Sequence, residues 1–379
     1  MPITKISGSK DGKQKYRVRV NYIDNLGRYK QIERTAYGRE EAKQLEMSMN
    51  VDLKKRTPTA VMTMNKLFEE YSLSARSELR ETSYSKNMRI LQTYVLAILG
   101  DLPMGKLTAP VLQNWKNQID EYKTSKGKYL SLRTKQNIYS CFRTMLNYAI
   151  RLDYISTNNL KKIGNFKGFD TIKKEMQFYT AEEYKRFAFE ALSRAEQSNG
   201  IKDWDFYVFF SIAFYTGLRK GEIHALKWSD LDGVHLNVKR SISQKLKGGD
   251  RETLPKNKSS IRTLQMPLPL IDILKKHKKR YGKVDGFSED FRICGGTAPL
   301  RDTSLQNYNK AISAAAELKT IRIHDFRHSH VSLLANEGIN IQEIARRLGH
   351  SNIEMTWNTY SHLYPREEER AVNVLNRVV

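Results

Sequence analysis

Cysteine is nearly absent: only Cys141 and Cys294 occur in 379 residues. Two thiols make neither a disulfide framework nor a Cys-rich zinc site, which points to an intracellular, reducing setting. Long apolar runs are missing as well. The longest, Phe206–Leu218, spans about thirteen residues, short of the roughly 20 needed to cross a bilayer. The N-terminal stretch MPITKISGSKDGKQKY lacks the apolar core of a signal peptide. These absences predict a cytoplasmic protein with no membrane partner. Internal repeats and low-complexity tracts are absent too. Acidic residues are in deficit, 41 Asp plus Glu against 65 Lys plus Arg, for a formal net charge of +24. A surplus of that size calls for a polyanionic partner, nucleic acid before an anionic membrane surface. With 40% hydrophobic and 10% aromatic residues, the chain has the material for real cores, and its length suggests about two or three domains.

The pattern along the chain divides it into three parts, a multidomain α+β layout. Residues 1–58 hold 14 Lys/Arg against 7 Asp/Glu before the closing Thr-Pro. Alternation through Lys15-Tyr-Arg-Val-Arg-Val-Asn-Tyr, a polar turn at Asp24-Asn-Leu-Gly27 and a second run, Tyr29–Thr35, predict a half-exposed hairpin followed by a helix from Arg39. Its basic side chains, Arg17, Arg19 and Lys30 among them, suit either simple solvation or entry into a DNA groove. Residues 59–165 read as all helix. Leu67, Tyr71 and Leu73 open one helix, and Met88, Leu91, Tyr94, Val95 and Ile98 space a second that Gly100 ends. Thr108-Ala-Pro110 starts a third, and Thr134–Ile150 is the last. That last helix gathers Ile138, Cys141, Phe142, Met145 and Ala149 on one face and leaves Lys135 and Arg143 off it, as ordinary solvation or as a DNA-facing surface. The polar, basic run Asn158–Gly168 reads as a linker.

Residues 166–379 carry the candidate chemistry in a mostly helical domain with a small β-sheet. A capping box, Thr180-Ala-Glu-Glu183, opens one helix. The apolar helix Phe206–Tyr215 stops at Thr216-Gly-Leu-Arg219-Lys-Gly-Glu222, which leaves Arg219 either capping the helix or facing a ligand. Between Val234 and Met266 the chain alternates and turns, so a short sheet with lysines at its loops, Lys256 and Lys258 included, is expected. A helix starting near His324 sets His324 and Arg327 on its first turn, where backbone N–H groups add to anion binding. Ile341–Leu348 follows, stopped by Gly349 with His350 just beyond, and then a helix runs from Asn352 behind a Ser351 cap. Within it Ile353, Thr356, Trp357 and Tyr360 share a face, so periodicity alone makes Tyr360 a core residue. Zinc at His324/His328 is a weaker reading, since no Cys or acidic partner lies at ligand spacing and HExxH is absent.

Taken together the segments form an ordered set. Thr216-Gly-Leu-Arg219-Lys-Gly-Glu222, Lys256-Asn-Lys-Ser-Ser-Ile-Arg262, His324-Asp-Phe-Arg327-His328, Leu348-Gly-His350 and Asn358-Thr-Tyr360-Ser-His-Leu363 resemble the tyrosine recombinase (phage integrase) family over about the last 200 residues. The helical part is similar to the family's core-binding domain, and the N-terminal sheet resembles the arm-binding domain of integrases from conjugative transposons and temperate phages. Gln265 where Pro is usual, and Trp357 where a smaller aliphatic is usual, are local departures.

The resemblance implies a site-specific recombinase that cuts and rejoins DNA through a 3′-phosphotyrosine and so integrates and excises a mobile element. A type IB topoisomerase-like relaxing enzyme, or a chromosome- or plasmid-resolving recombinase, is the alternative. It further implies catalysis by Arg219, Lys256, His324, Arg327, His350 and Tyr360. The two arginines would hold the phosphorane oxygens, the lysine would protonate the leaving 5′-oxygen, and His324 would take the tyrosine proton or hold the phosphate. His350 would hydrogen-bond a non-bridging oxygen, and Tyr360 would attack. Lys258 is a second candidate for the lysine. Glu222 is either an orienting partner or an exposed carboxylate, and Tyr364 and Tyr308 are alternative nucleophiles. Neither metal nor ATP is implied. The implied partners are duplex DNA at core and arm sites, three further copies in a tetramer, an excisionase and a host DNA-bending protein, in a bacterial, nucleoid-associated setting. An apolar stripe of Ala371, Val374, Leu375 and Val378 behind Glu367–Glu369 suggests a tail helix that docks on its own domain or on a neighbour.

Overall fold

The computed structural model describes residues 3–23, 29–55, 62–168, 176–244, 251–253, 258–363, 372 and 375–376. The chain divides into two compact units, Met1–Thr171 and Ile172–Val379. The expected N-terminal sheet and helical part therefore fall within one unit, although each has its own hydrophobic cluster.

In the first unit, β1 (Ile3–Lys10), β2 (Lys13–Ile23) and β3 (Tyr29–Tyr37) make an antiparallel sheet in the order β1-β2-β3. Sequence alternation anticipates β2 and β3 but not β1, whose ITKISGSK has only two apolar residues and a glycine. Period 2 puts Val18, Val20 and Ala36 on one face, packed with Ala42 and Met49 of α1 (Arg39–Lys55). The other face carries Arg17 and Arg19, both ion-paired to Glu33 at 2.7 and 2.9 Å. Lys30 pairs in register with Tyr22, on the opposite parity from Arg19 and its partner Glu33, so the three basic residues do not share one surface.

The helical part comprises α2 (Met64–Glu78), α3 (Glu81–Leu91), α4 (Ala97–Leu99), α5 (Ala109–Glu121), α6 (Leu132–Arg151) and the short α7 (Leu160–Ile163). A π-helical turn, Gln92–Leu96, joins α3 to α4. Its Tyr94 carbonyl accepts from Nε1 of the buried Trp115 at 2.8 Å, so a side chain from α5 supports the widened turn. Leu73, unlike Leu67 and Tyr71 of the same helix, is 74% exposed. The Asn158–Gly168 run is not a free linker. Lys116 Nζ donates to the carbonyls of Ile163, Gly164 and Asn165 at 3.1–3.2 Å, and Phe166 is buried in the helical core.

The second unit runs α8 (Ala181–Gln197), α9 (Ile201–Thr216) and α10 (Lys220–Ala225). A three-stranded sheet follows, with β4 (Leu231–Asp232), β5 (His235–Val238) and β8 (Arg262–Gln265) in the order β4-β5-β8. Beside it β6 (Ser241–Ser243) pairs with β7 (Arg251–Thr253). Then come α11 (Leu268–Tyr281), α12 (Asp302–Ala315), α13 (Asp325–Asn336), α14 (Ile341–Leu348) and α15 (Ile353–Tyr360). The capping box at Thr180 and Glu183 forms as expected. Apolar all round, α9 is buried along nearly its whole length and is the centre of the core. Phe326 of α13 joins its aromatic cluster, 4.9 Å from Phe210 and 5.2 Å from Phe187. A smaller cluster of Val331, Ala335, Ile344, Leu348 and Tyr360 ties α13, α14 and α15 together. On α15 the expected four-residue face is only half inside. Thr356 and Tyr360 are buried, whereas Ile353 and Trp357 are exposed.

Candidate active site

The buried α9 ends where Gly217 takes φ +65°, and a Cβ there would lie 2.7 Å from the ring of His330. The αL glycine reverses the chain and sets Arg219 as the N-cap of α10. Three residues on, the Glu222 carboxylate reaches back to the Arg219 backbone N–H at 2.9 Å and to its guanidinium at 2.9 Å. It also accepts from Nη2 of Arg262 at 3.1 Å. Glu222 is therefore no exposed carboxylate but a buried anion between two arginines. Burial alone would make it a weaker acid, but Arg262 first and then Arg219 outweigh that and hold its carboxyl below the ordinary 4.5. Arg262, from β8, also donates to the carbonyls of Arg347 at 2.7 Å and Ser260 at 2.9 Å. It thereby straps the sheet to the end of α14.

Arg327 is 3% exposed. Its guanidinium donates to the Gly217 carbonyl at 2.7 Å and to the Leu348 carbonyl at 2.8 Å, so the ends of α9 and α14 both depend on it. Burial, reinforced by the Arg219 charge, pulls it down to about 9, so it stays a cation at neutral pH and its incompletely offset charge favours an anion. Nη2 of Arg327 also lies 2.8 Å from Nε2 of His350. A guanidinium only donates, so Nε2 accepts and the His350 proton sits on Nδ1, 2.7 Å from Oγ1 of the buried Thr356. Burial, then Arg327, brings His350 down to about 4. The neutral ring thus orients Arg327, and its Nε2, expected from the sequence to meet a non-bridging phosphate oxygen, here accepts from the Arg327 guanidinium.

The hydroxyl of Tyr360, a residue 2% exposed, lies 2.7 Å from Nδ1 of His328. Burial drives the phenol up to about 12 against the lowering effect of Arg327. Nε2 of His328 faces Oδ1 of Asp325 at 3.8 Å, and Asp325 is itself held by the Arg322 side chain at 2.8–3.2 Å. His324, expected to take the tyrosine proton or to hold the phosphate, is exposed at the helix N-cap, its ring edge-on to His328 at 5.2 Å. The histidine next to the phenol is the one after Arg327.

Arg219, His324, Arg327, His350 and Tyr360 are thus carried by the ends of α9, α13, α14 and α15 within one unit, and Arg219 acts electrostatically on Arg327 and His350. Lys256, the Lys258 side chain, Tyr364 and most of the tail stripe lie outside the described residues. Leu375 is 68% exposed. Tyr308 is excluded as a nucleophile by its place in the aromatic core, its hydroxyl donating to the Ala191 carbonyl at 3.3 Å. His330 turns away from His324 and His328 and bonds the Phe214 carbonyl at 2.8 Å. Among the described residues no group of three or more His, Cys, Asp or Glu has metal-site geometry, and no helix is long and apolar enough to cross a membrane. Of the expected DNA contacts, Lys135 is tied to Asp120 at 2.6 Å and Arg143 is exposed. The sequence reading gives no role at this site to Arg262, Asp325 or Thr356, and weighs His328 only as a zinc ligand. All four sit inside or beside the motifs, but their roles depend on which way each side chain points.

The model of the phage integrase family matches residues 177–367, and that of a phage integrase N-terminal SAM-like domain matches residues 63–119. The chain belongs to the phage integrase family. Among its family relatives, the ICEBs1 integrase of Bacillus subtilis is 31% identical over 257 residues, 65% of this chain and 66% of that protein. A XerC-like tyrosine recombinase of Caldanaerobacter subterraneus is 29% identical over 279 residues, with the same shares. The match thus spans just under two thirds of each relative's length. In three dimensions this integrase-family chain resembles the Tn1549 transposon integrase bound to a circular intermediate DNA, with a TM-score of 0.63, 21% identity and coverage of 83% and 99% of the two chains. A lambda integrase dimer bound to a COC′ core site gives 0.54 at 19% identity and 95% coverage of both. The family fold is common to all three.

Proposed function

We propose that the protein is a site-specific tyrosine recombinase that integrates and excises a mobile element, cutting and rejoining DNA through a 3′-phosphotyrosine. The observation that carries the reading is the convergence of Tyr360, Arg327 and Arg219 in one electropositive site, with Glu222 and His350 fixing the arginines. Tyr360 Oη attacks phosphorus and the P–O5′ bond breaks, with Lys256, or Lys258 in its place, protonating the leaving oxygen. Arg219, Arg327 and the exposed His324 hold the non-bridging oxygens. The bond energy is stored in the phosphotyrosine, so neither metal nor ATP enters.

Residues 1–58 are assigned to arm-type DNA, 59–165 to the core site and 166–379 to catalysis. Four copies act together on two duplexes in the bacterial cytoplasm at the nucleoid, with an excisionase and a DNA-bending protein as accessories. Exposed Ile353, Met355 and Trp357 on α15 support contact between copies. The test is incubation with a suicide duplex of the core site in EDTA. Wild type traps a covalent protein–DNA adduct and Tyr360→Phe does not. A strict metal requirement, or an adduct with Tyr360→Phe, contradicts the reading.

A further inference from the structure

Resting on Tyr360 as nucleophile, the geometry points to a catalytic role for His328, as the base that takes the phenolic proton, with Asp325 as the group that sets its tautomer. The Tyr360 hydroxyl and Nδ1 of His328 are 2.7 Å apart, hydrogen-bond distance for the two atoms between which a proton would move. On the far side of the ring, Nε2 points at the Asp325 carboxylate, 3.8 Å away, and Asp325 is 1% exposed. A buried carboxylate favours the ring proton on the nitrogen that faces it. That leaves Nδ1 with its lone pair toward the phenol, so Tyr360 donates and His328 accepts. Arg322 grips Asp325 through both its backbone and its guanidinium, at 2.8–3.2 Å, which fixes the carboxylate on its side of the ring. Tyrosine, histidine and aspartate therefore follow the logic of an activated nucleophile, an oriented base and an orienting carboxylate.

The step balances. As Oη bonds phosphorus and the P–O5′ bond breaks, the phenolic proton passes to Nδ1, and the departing O5′ takes its proton from Lys256 or Lys258. On religation the 5′-hydroxyl loses its proton to the lysine, and imidazolium returns one to the phenolate. The charged groups facing His328 among the described residues are His324, Asp325, Arg322 and Arg327 from α13 and the turn before it, and Tyr360 from α15. Burial first, then the His324 ring, lowers His328 to about 4, so it is a free base at neutral pH. A DNA phosphate set against Arg327 offsets cationic charge and moves it upward, toward the range where a base works best.

A histidine that did no more than satisfy a buried hydroxyl would not set the pH profile, and the experiment separates the two roles. Single-turnover cleavage of the suicide duplex is followed from pH 5 to pH 9 for wild type, His328→Ala and His328→Gln, with Tyr360→Phe in parallel and DNA affinity and melting recorded for each. Both His328 variants are expected to bind DNA like wild type, cleave about 10²- to 10⁴-fold more slowly and regain rate as the pH rises. Added imidazole is expected to speed His328→Ala in proportion to its free-base fraction and to leave wild type unchanged. The assignment is overturned if either variant, folded and DNA-bound, cleaves within about threefold of wild type, or if a slow variant responds neither to pH nor to imidazole. An adduct in Tyr360→Phe would instead remove the nucleophile assignment on which the proposal rests.

Discussion

At the scale of single residues, the site is built from groups held in defined charge states by their neighbours. His328, His330 and His350 are all lowered chiefly by burial, to about 4, 3 and 4. A histidine in the unfolded chain titrates near 6.5, so on acidification the unfolded state takes up these protons first. The stability associated with the neutral rings is whole above pH 6.5 and is lost progressively as the pH falls toward 4. Glu222 has the usual carboxylate behaviour and adds its loss only below its ordinary 4.5, as the pH falls through its lowered value. Melting temperature is therefore expected to be level from pH 8 to 7 and to decline between 6.5 and 4. A melting temperature constant down to pH 4.5 would show that the three rings are not held neutral.

At the scale of elements, two kinds of feature divide. Helix ends set by glycine or by a capping box were legible: the stops at Gly217 and Gly349, both αL, fall where the sequence puts them, as does the start at Thr180. Those signals are local and chemical. The π-helical turn in residues 92–96 was not legible, because its support comes from Trp115 in another helix. Nor were the exposures of Ile353 and Trp357, since periodicity identifies a face without saying what covers it. The site shows the same division. Arg219, Arg327 and Tyr360 are marked by motif, whereas the pairing of Tyr360 with His328 rather than His324 depends on the relative rotation of α13 and α15. The Trp115 support gives a prediction. Trp115→Phe keeps the ring contact with Phe142, now at 4.9 Å, but removes the donor to the Tyr94 carbonyl. A loss of about 1–3 kcal/mol in chemical denaturation is expected, and an unchanged midpoint would mean that the turn needs no such support.

At the scale of the whole molecule, the +24 charge is not uniformly available to DNA. Arg17 and Arg19 share Glu33, and Lys135 pairs with Asp120. On the proposed arm-binding role, Glu33→Gln frees two guanidinium groups on the outer sheet face. Arm-site affinity is expected to rise, and its dependence on log salt to steepen by about one to two units, as each further phosphate contact releases counterions. An unchanged slope would mean that this face does not meet the backbone. In the proposed mechanism catalysis draws on very few of the 65 basic residues, and the covalent bond is formed by one oxygen, that of Tyr360. The most direct measurement is peptide mapping of the adduct trapped on a suicide duplex, by mass spectrometry after nuclease digestion. The account predicts a 3′-phosphonucleotide on Tyr360. A nucleotide on Tyr364, on any other residue or joined through its 5′ end would contradict it.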